Sequence, residues 1–239
     1  MNARRPQTAL RAIYFDLDRT LLDRDTSVIS FASAQFEAFR ARLDGVAHDA
    51  FVNAFVRLDA RGSVWKDLVY QRLTVELGIR SVSWEELFAD FDARIAEHYV
   101  PFPGMHETLG ELAGHYRLGL ISNGRTEFQN RTIAKLDIAS YLSVILISEA
   151  EGVRKPDREI FHRALLRLEI TPAEAAYVGD HPLTDMQAAM EIGMWAIWKR
   201  NADFAEVACD HVIDDLRELP MTLENHRLGF CLDETQKRL

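Results

Sequence analysis

Several features are scarce in this chain of 239 residues, and each scarcity narrows what the protein can be. The two cysteines, Cys209 and Cys231, match no metal-ligand or redox spacing and allow at most one disulfide. No apolar run is long enough to span a bilayer, and the polar, basic residues 1–11 lack the apolar segment of a signal peptide. We therefore expect a cytoplasmic protein without a membrane partner.

Positive charge is also in short supply. The 28 lysines and arginines are outnumbered by 37 aspartates and glutamates, so the formal net charge is -9. A general nucleic-acid binder needs a basic surface, and we expect no nucleic-acid partner. A small anionic ligand is still compatible with this composition, because a metal ion or a few lysines can reverse the field inside one pocket.

What the sequence does contain is an alternation of apolar runs and helical patterns. This alternation predicts an α/β fold with a parallel sheet covered on both faces. The strands are expected at residues 11–15, 118–121, 142–147, 176–178, 195–198 and 211–213. Helices are expected at residues 105–116, 126–136, 157–168 and 183–192.

Residues 27–99 have a different texture, with four amphipathic stripes at helical spacing and no strand signal. Thr26 or Ser27 is the expected N-cap of the first helix, and Ser83 with Glu86 forms a capping box before the fourth. These features predict an inserted four-helix domain at 25–99 within a core domain formed by 1–24 and 100–239. The polar tail 225–239 is expected to be partly disordered.

Polar side chains follow four of the predicted sheet elements, where ligands bind in open α/β sheets. They are Asp16 and Asp18, Ser122 and Asn123, Lys155, and Asp180 and Asp185. Two carboxylates 4 Å apart repel by about 4 kcal/mol at an effective dielectric of about 20. A Mg²⁺ ion would compensate this repulsion, with Asp16, Asp180, Asp185 and the main-chain carbonyl of Asp18 as the expected ligands.

The same residues predict phosphoryl transfer through an aspartate nucleophile. Asp16 would attack phosphorus and form an aspartyl-phosphate, with Lys155 and the metal neutralising the charge between them. Asp18, two residues on, would serve as general acid and then as general base. Ser122 and the backbone N–H groups after it would hold the phosphoryl oxygens. Thr20, Asn123 and Lys155 complete the expected substrate-binding set.

In these motifs the sequence resembles the haloacid dehalogenase superfamily of hydrolases. The resemblance lies in the stretch Asp16-Leu17-Asp18-Arg19-Thr20-Leu21, in Ser122, in Lys155-Pro156, and in Gly179-Asp180 with Asp185. It implies a Rossmann-like core, an α-helical cap of the first type and Mg²⁺-dependent phosphatase activity. The Gly-Asp-His-Pro stretch is similar to a subgroup of nucleotidase-like and sugar-phosphate phosphatases. Arg19 departs from the pattern, since glycine is commonest there.

Several alternatives stay open at this point. The superfamily also contains dehalogenases and phosphomutases, although Asp18 and Thr20 argue against the first and Thr20 against the second. Phosphonatases use a cap lysine, for which Lys66 is the candidate here, although a surface position is the simpler interpretation. A non-catalytic binding module on the same fold is a further alternative.

The substrate is expected to be a small phosphorylated metabolite, and the protein a monomer or a homodimer. The cap residues that are candidates to meet an anionic substrate are Arg24, Arg57, Arg61, Lys66 and Arg72.

Overall fold

A computed structural model describes residues 9–228 of the chain. The described residues divide into two compact units. One unit contains 9–22 and 101–228 and is called the sheet unit here; the other, Asp23–Val100, is called the helical unit. No helix within 9–228 combines the length and the apolar character needed to cross a membrane.

The helical unit contains four α-helices within Asp23–Val100. They are α1 (Arg24–Phe39), α2 (His48–Asp59), α3 (Lys66–Glu76) and α4 (Trp84–Arg94). Their buried faces meet through aromatic side chains. Phe31 and Phe91 pack edge to face with ring centroids 5.2 Å apart, and Phe55 lies 5.2 Å from Tyr70. These aromatic residues therefore form the core that the helical spacing predicted.

The first helix begins earlier than the sequence suggested. Its N-cap is Asp23, whose carboxylate accepts hydrogen bonds from the backbone N–H and the hydroxyl of Thr26. Ser27 is buried, and its hydroxyl donates to the carbonyl of Asp23 at 2.6 Å. The prediction of Thr26 or Ser27 as the cap is thus wrong, because the carboxylate of Asp23 already accepts from the backbone N–H of Thr26 in the first turn. The capping box of Ser83 and Glu86 is confirmed.

The sheet unit contains a six-stranded parallel sheet, which confirms the predicted fold class. Its strands are β1 (Ala12–Phe15), β2 (Arg117–Ser122), β3 (Leu142–Ile147), β4 (Ala175–Gly179), β5 (Trp195–Lys199) and β6 (His211–Ile213). Their order across the sheet is β3-β2-β1-β4-β5-β6, and every neighbouring pair is parallel. Phe15 at the end of β1 lies between Leu120 and Val178, so the carboxyl ends of β1, β2 and β4 meet at one edge.

The helices of the sheet unit largely follow the predicted pattern. They are α5 (Met105–Ala113), α6 (Thr126–Lys135), α7 (Ser148–Glu151), α8 (Arg158–Arg167), α9 (Ala188–Ile192) and α10 (Leu219–Leu228). The predicted helix over 183–192 is a π-helix at Pro182–Gln187 followed by α9. Residues 225–228 of the predicted tail belong to α10, and residues 229–239 with Cys231 lie outside the described residues, so partial disorder of the tail stays a prediction.

A buried ion cluster in the helical unit corrects the sequence-based view of Lys66. The carboxylate of Asp59 is 1% exposed; it pairs with Lys66 and accepts a hydrogen bond from Arg24 Nη1 at 2.8 Å. Burial alone would raise the pKa of Asp59, but Arg24 and Lys66 outweigh it and lower the pKa. Lys66 is therefore half-buried and ion-paired rather than a freely exposed surface residue. Arg57 pairs with Glu76 at the surface, and Arg61 and Arg72 are exposed.

We expect Asp59→Asn to destabilise the protein. The variant keeps the side-chain volume but leaves two cations without their carboxylate, and breaking a buried pair in this way costs about 3–5 kcal/mol of unfolding free energy. Chemical denaturation measures the loss. Glu76→Gln breaks the exposed pair with Arg57 and serves as the control, with an expected loss below about 1 kcal/mol. Equal losses in the two variants would contradict the structural importance of the cluster.

Candidate active site

The turn after β1 places the first acidic residue of the motif at the sheet edge. The backbone N–H of Asp16 donates to the carbonyl of Val178 at 2.9 Å, which extends the sheet pairing as far as this residue. Asp16 is 7% exposed. The chain then turns at Arg19, whose φ of 64° is left-handed, so that the buried hydroxyl of Thr20 lies 3.5 Å from Asp16 Oδ2. Thr20, predicted to bind substrate, thus contacts Asp16.

Lys155 lies at the centre of the site and is 2% exposed. Its ammonium nitrogen is 2.6 Å from Asp16 Oδ1, 2.7 Å from Asp185 Oδ1 and 2.8 Å from the hydroxyl of Tyr177. An ammonium carries three hydrogens, and these three contacts match them. Burial would lower the pKa of Lys155, but the attraction of Asp16 and Asp185 raises it well above its usual value. The side chain is therefore a fixed positive charge.

Asn123 secures the loop that carries Lys155. Its side-chain nitrogen donates to the carbonyl of Lys155 at 2.9 Å, and its side-chain oxygen accepts from the backbone N–H of Lys155 at 2.9 Å. Asn123 therefore supports Lys155 through both of its amide atoms. A contact between Asn123 and substrate stays a prediction.

Asp180 and Asp185 reach the same place from the end of β4. Asp185 lies in the π-helix, and its Oδ2 accepts from the backbone N–H of His181 at 3.0 Å. Gly179 makes this approach possible, since a Cβ at that position would lie 2.7 Å from the Cβ of Asp185. Asp180 Oδ2 accepts from the side chain of Asn201 at 2.9 Å.

Three carboxylates form a group that fits a divalent cation. One oxygen from each of Asp16, Asp180 and Asp185 lies within 4.8 Å of the others. Burial and the neighbouring carboxylates Asp185 and Asp180 raise the pKa of Asp16 well above its usual value, although Lys155 opposes them. The donor set is all oxygen, and when its three carboxylates are ionised they carry more negative charge than Lys155 neutralises, which suits a hard cation such as Mg²⁺.

Asp18 and Ser122 meet at a residue that sequence reasoning missed. The side-chain nitrogen of Gln129, on α6, lies 3.1 Å from Asp18 Oδ2 and 3.0 Å from the hydroxyl oxygen of Ser122. The Asp18 carboxylate does not belong to the three-carboxylate group, and a metal contact through its main-chain carbonyl stays a prediction. The structure thus gathers all eight predicted residues at one edge.

Other contributors to the site carried no recognisable signal. Tyr177 stands within an apolar run of β4 and has the pattern of a core residue. Asn201 lies in the loop after β5, and Asp203 of the same loop pairs with Arg19 at 2.8 Å. Arg19, the departure from the common glycine, is thereby tied to a loop that no motif marks.

The sequence profile of the haloacid dehalogenase-like hydrolases matches residues 13–199. The chain belongs to this family. A relative in the family, a glyceraldehyde 3-phosphate phosphatase of Pyrococcus furiosus, is 29% identical over 232 residues, which cover 90% of this chain and 93% of the relative.

Two solved structures of this superfamily are similar to the chain over most of its length. A hydrolase of Bacillus subtilis, described as bound to magnesium, has a TM-score of 0.73 at 20% identity and covers 91% of this chain and 100% of its own. A 2-haloacid dehalogenase of Pseudomonas syringae has a TM-score of 0.60 at 27% identity, with coverage of 90% and 99%. The haloacid dehalogenase fold is therefore shared by proteins named for different reactions, and the chain's own residues must distinguish them.

The acidic site predicts an unusual dependence of stability on pH. Burial, together with the charge of Asp185, raises the pKa of Asp180 from 3.8 to about 7 in the native state. Between about pH 4 and pH 7 the native state therefore binds a proton that the unfolded chain releases, so the free energy of unfolding falls as pH rises. Unfolding by urea in the presence of EDTA measures this slope. Asp180→Asn removes this titrating group and should reduce the slope, with Asp16, whose pKa is also raised, accounting for the slope that remains; an unchanged slope would contradict the assignment.

Proposed function

We propose that this hydrolase is a Mg²⁺-dependent phosphatase that cleaves a small phosphomonoester through an aspartyl-phosphate on Asp16. The observation that carries the proposal is the ammonium of Lys155 in contact with Asp16 and Asp185 inside a buried acidic group. A carboxylate can attack a phosphate dianion only where positive charge offsets their mutual repulsion. The arrangement places such charge beside the proposed nucleophile.

The reaction would proceed in two displacements. In the first, an Asp16 oxygen forms a bond to phosphorus while the ester P–O bond breaks, and Asp18 gives its proton to the departing alcohol. In the second, water attacks the same phosphorus, Asp18 takes up the water's proton, and the Asp16–phosphorus bond breaks to release inorganic phosphate. Asp18 ends in its starting state. Its half-buried position two residues after Asp16 supports this double role.

Asp16, Asp180 and Asp185, together with the main-chain carbonyl of Asp18, would hold the metal. When bound, Mg²⁺ supplies positive charge that draws the phosphate dianion toward the carboxylate. Lys155 fixes the orientation of Asp16 through Oδ1, and Thr20 lies on its Oδ2 side. Ser122, at the end of β2, would bind a phosphoryl oxygen. The backbone N–H of Gly124 donates to the hydroxyl oxygen of Ser148 at 3.0 Å. This N–H group therefore supports the loop instead of holding a phosphoryl oxygen.

The alternatives are less well supported by these residues. A dehalogenase displaces halide from carbon and needs neither Asp18 nor the cation that the acidic group suits. A phosphonatase needs a neutral cap lysine to form a Schiff base, whereas Lys66 is an ion-paired ammonium on Asp59. A non-catalytic module would have no use for the complete set of Asp16, Asp18 and Lys155.

The substrate class follows from the relatives and the motif. The Pyrococcus furiosus relative is named for glyceraldehyde 3-phosphate, and the Gly-Asp-His-Pro stretch at 179–182 resembles nucleotidase-like and sugar-phosphate phosphatases. We infer a small phosphorylated metabolite, such as a sugar phosphate or a nucleotide, as the substrate. Release of phosphate from a panel of such esters would rank them.

Asp16→Asn should abolish hydrolysis of an aryl phosphate in the presence of Mg²⁺. The amide cannot act as the nucleophile, and we expect at least about a thousandfold loss of kcat, as is common when a covalent nucleophile is removed. Asp137→Asn makes the same substitution at an exposed position and should leave the rate unchanged. Activity of Asp16→Asn near that of the wild type would refute the assignment of the nucleophile.

Removal of divalent metal should also stop turnover. EDTA is expected to reduce phosphate release to background, because the charge of the acidic group then repels the dianion, and added Mg²⁺ should restore it. Isothermal titration of Mg²⁺ into Asp180→Asn provides a second reading, with weaker binding expected. Full activity in EDTA would instead point to chemistry of the dehalogenase type.

A further inference from the structure

Gln129 is a buried residue of the sheet unit to which neither the motifs nor the two displacements above give a part. It lies on α6, is 2% exposed, and its side-chain nitrogen contacts both Asp18 and Ser122. We propose that Gln129 is a positioning residue that holds the Asp18 carboxylate where the two displacements need it, anchored by its contacts with the Ser122 hydroxyl oxygen and the carbonyl of Asn123. This inference rests on the proposed function.

The orientation of the amide is fixed by a third contact. The nitrogen also lies 3.1 Å from the main-chain carbonyl oxygen of Asn123. A carbonyl oxygen can only accept a hydrogen bond, so the nitrogen and not the oxygen of Gln129 must face this group. The side-chain oxygen has no hydrogen-bond partner among residues 9–228. The three contacts of the side-chain nitrogen therefore fix the orientation of the Gln129 amide.

Two hydrogens on this nitrogen serve three acceptors. If one is directed to the carbonyl of Asn123, the other lies between Asp18 Oδ2 and the Ser122 hydroxyl oxygen, at 3.1 Å and 3.0 Å. A hydrogen bond to a carboxylate is stronger than one between neutral groups. Gln129 therefore links the proposed acid/base residue at the end of β1 to the proposed phosphoryl-binding residue at the end of β2.

The neighbouring backbone leaves the space that this side chain needs. A Cβ at Gly124 would lie 2.7 Å from the side-chain nitrogen of Gln129 and 2.9 Å from its Cγ. Glycine at this position is therefore required by the close approach of Gln129. The substitution Gly124→Ala offers a way to displace the amide without removing it.

The kinetic test uses two esters that differ in their leaving group. Nitrophenolate departs from phosphorus with little help from an acid, whereas the alkoxide of an alkyl phosphate needs a proton. For nitrophenyl phosphate, a misplaced Asp18 would slow only the hydrolysis of the aspartyl-phosphate. We expect Gln129→Met to lower kcat for this ester about 10- to 100-fold, the range for a lost hydrogen bond to a charged group.

The values of kcat, KM and kcat/KM together distinguish a misplaced Asp18 better than kcat alone. For nitrophenyl phosphate, kcat and KM of Gln129→Met should fall together while kcat/KM stays within about threefold, with a burst of one nitrophenol per site. For the alkyl phosphate, kcat/KM should fall as well, since Asp18 must then also act as an acid. Gln129→Glu keeps the shape but removes the donor, and it should lose at least as much. Gly124→Ala should show the same pattern in weaker form.

Thr132→Val is the matched control. Thr132 lies on the same helix, is fully buried, and donates its hydroxyl to the carbonyl of Phe128 without reaching the site. It should match the wild type with both esters. The inference is overturned if Gln129→Met behaves like Thr132→Val, or if it loses kcat and kcat/KM equally with nitrophenyl phosphate and shows no burst. The proposed function fails separately, and this inference with it, if the wild type itself releases no phosphate from either ester.

Discussion

The contact between Lys155 and the carboxylates of Asp16 and Asp185 is the interaction on which the site depends. Taking a carboxylate out of water is costly, and here three of them come within 4.8 Å of one another. The ammonium compensates part of this charge and is itself held by the loop that Asn123 secures. The charge that Lys155 does not compensate would attract a cation, so the proposed affinity for a metal ion rests on incomplete neutralisation within the fold.

The parallel sheet converts distant sequence positions into neighbours at this contact. Lys155 is 139 residues from Asp16 in the chain and 30 from Asp185, yet it lies within hydrogen-bond distance of both. The register of β1 between β2 and β4 aligns three strand ends, and the turns after them supply most of the polar groups. The helical unit enters the chain directly after the first of these turns, where an insertion leaves the sheet pairing intact.

The parts of this site that could be predicted from the sequence are those whose signal lies in the neighbouring residues. Asp16 and Asp180 stand at abrupt ends of apolar runs, and such an ending is visible without any partner. Gln129 is different, because a single polar residue on the buried face of a helix gives no sign of a contact 111 residues away. Tyr177 was hidden for the opposite reason, since an aromatic residue in a buried strand has the pattern of core packing.

Errors in the helical unit have the same physical origin. Lys66 looks like a surface residue because lysine is seldom buried, and its burial here depends on the carboxylate of Asp59, which lies on another helix. The first helix begins at Arg24 because Asp23 caps it. Asp23, Thr26 and Ser27 are all suitable cap residues, and the sequence alone does not show which of them is used. The fold class was easier to predict, since it depends on the alternation of many strands and helices rather than on any single contact.

The π-helix at Pro182–Gln187 makes the position of Asp185 sensitive to the length of this segment. The N–H of Met186 bonds to the carbonyl of His181, five residues back, so this turn accommodates one residue more than an α-helical turn would. A chain shortened by one residue here would close an ordinary turn and rotate the following side chains, carrying a residue other than Asp185 toward the lysine. The length of this segment therefore matters for the position of Asp185 as well as its residue types, and we expect an insertion or deletion here to disturb the site more than one in an exposed loop of the sheet unit.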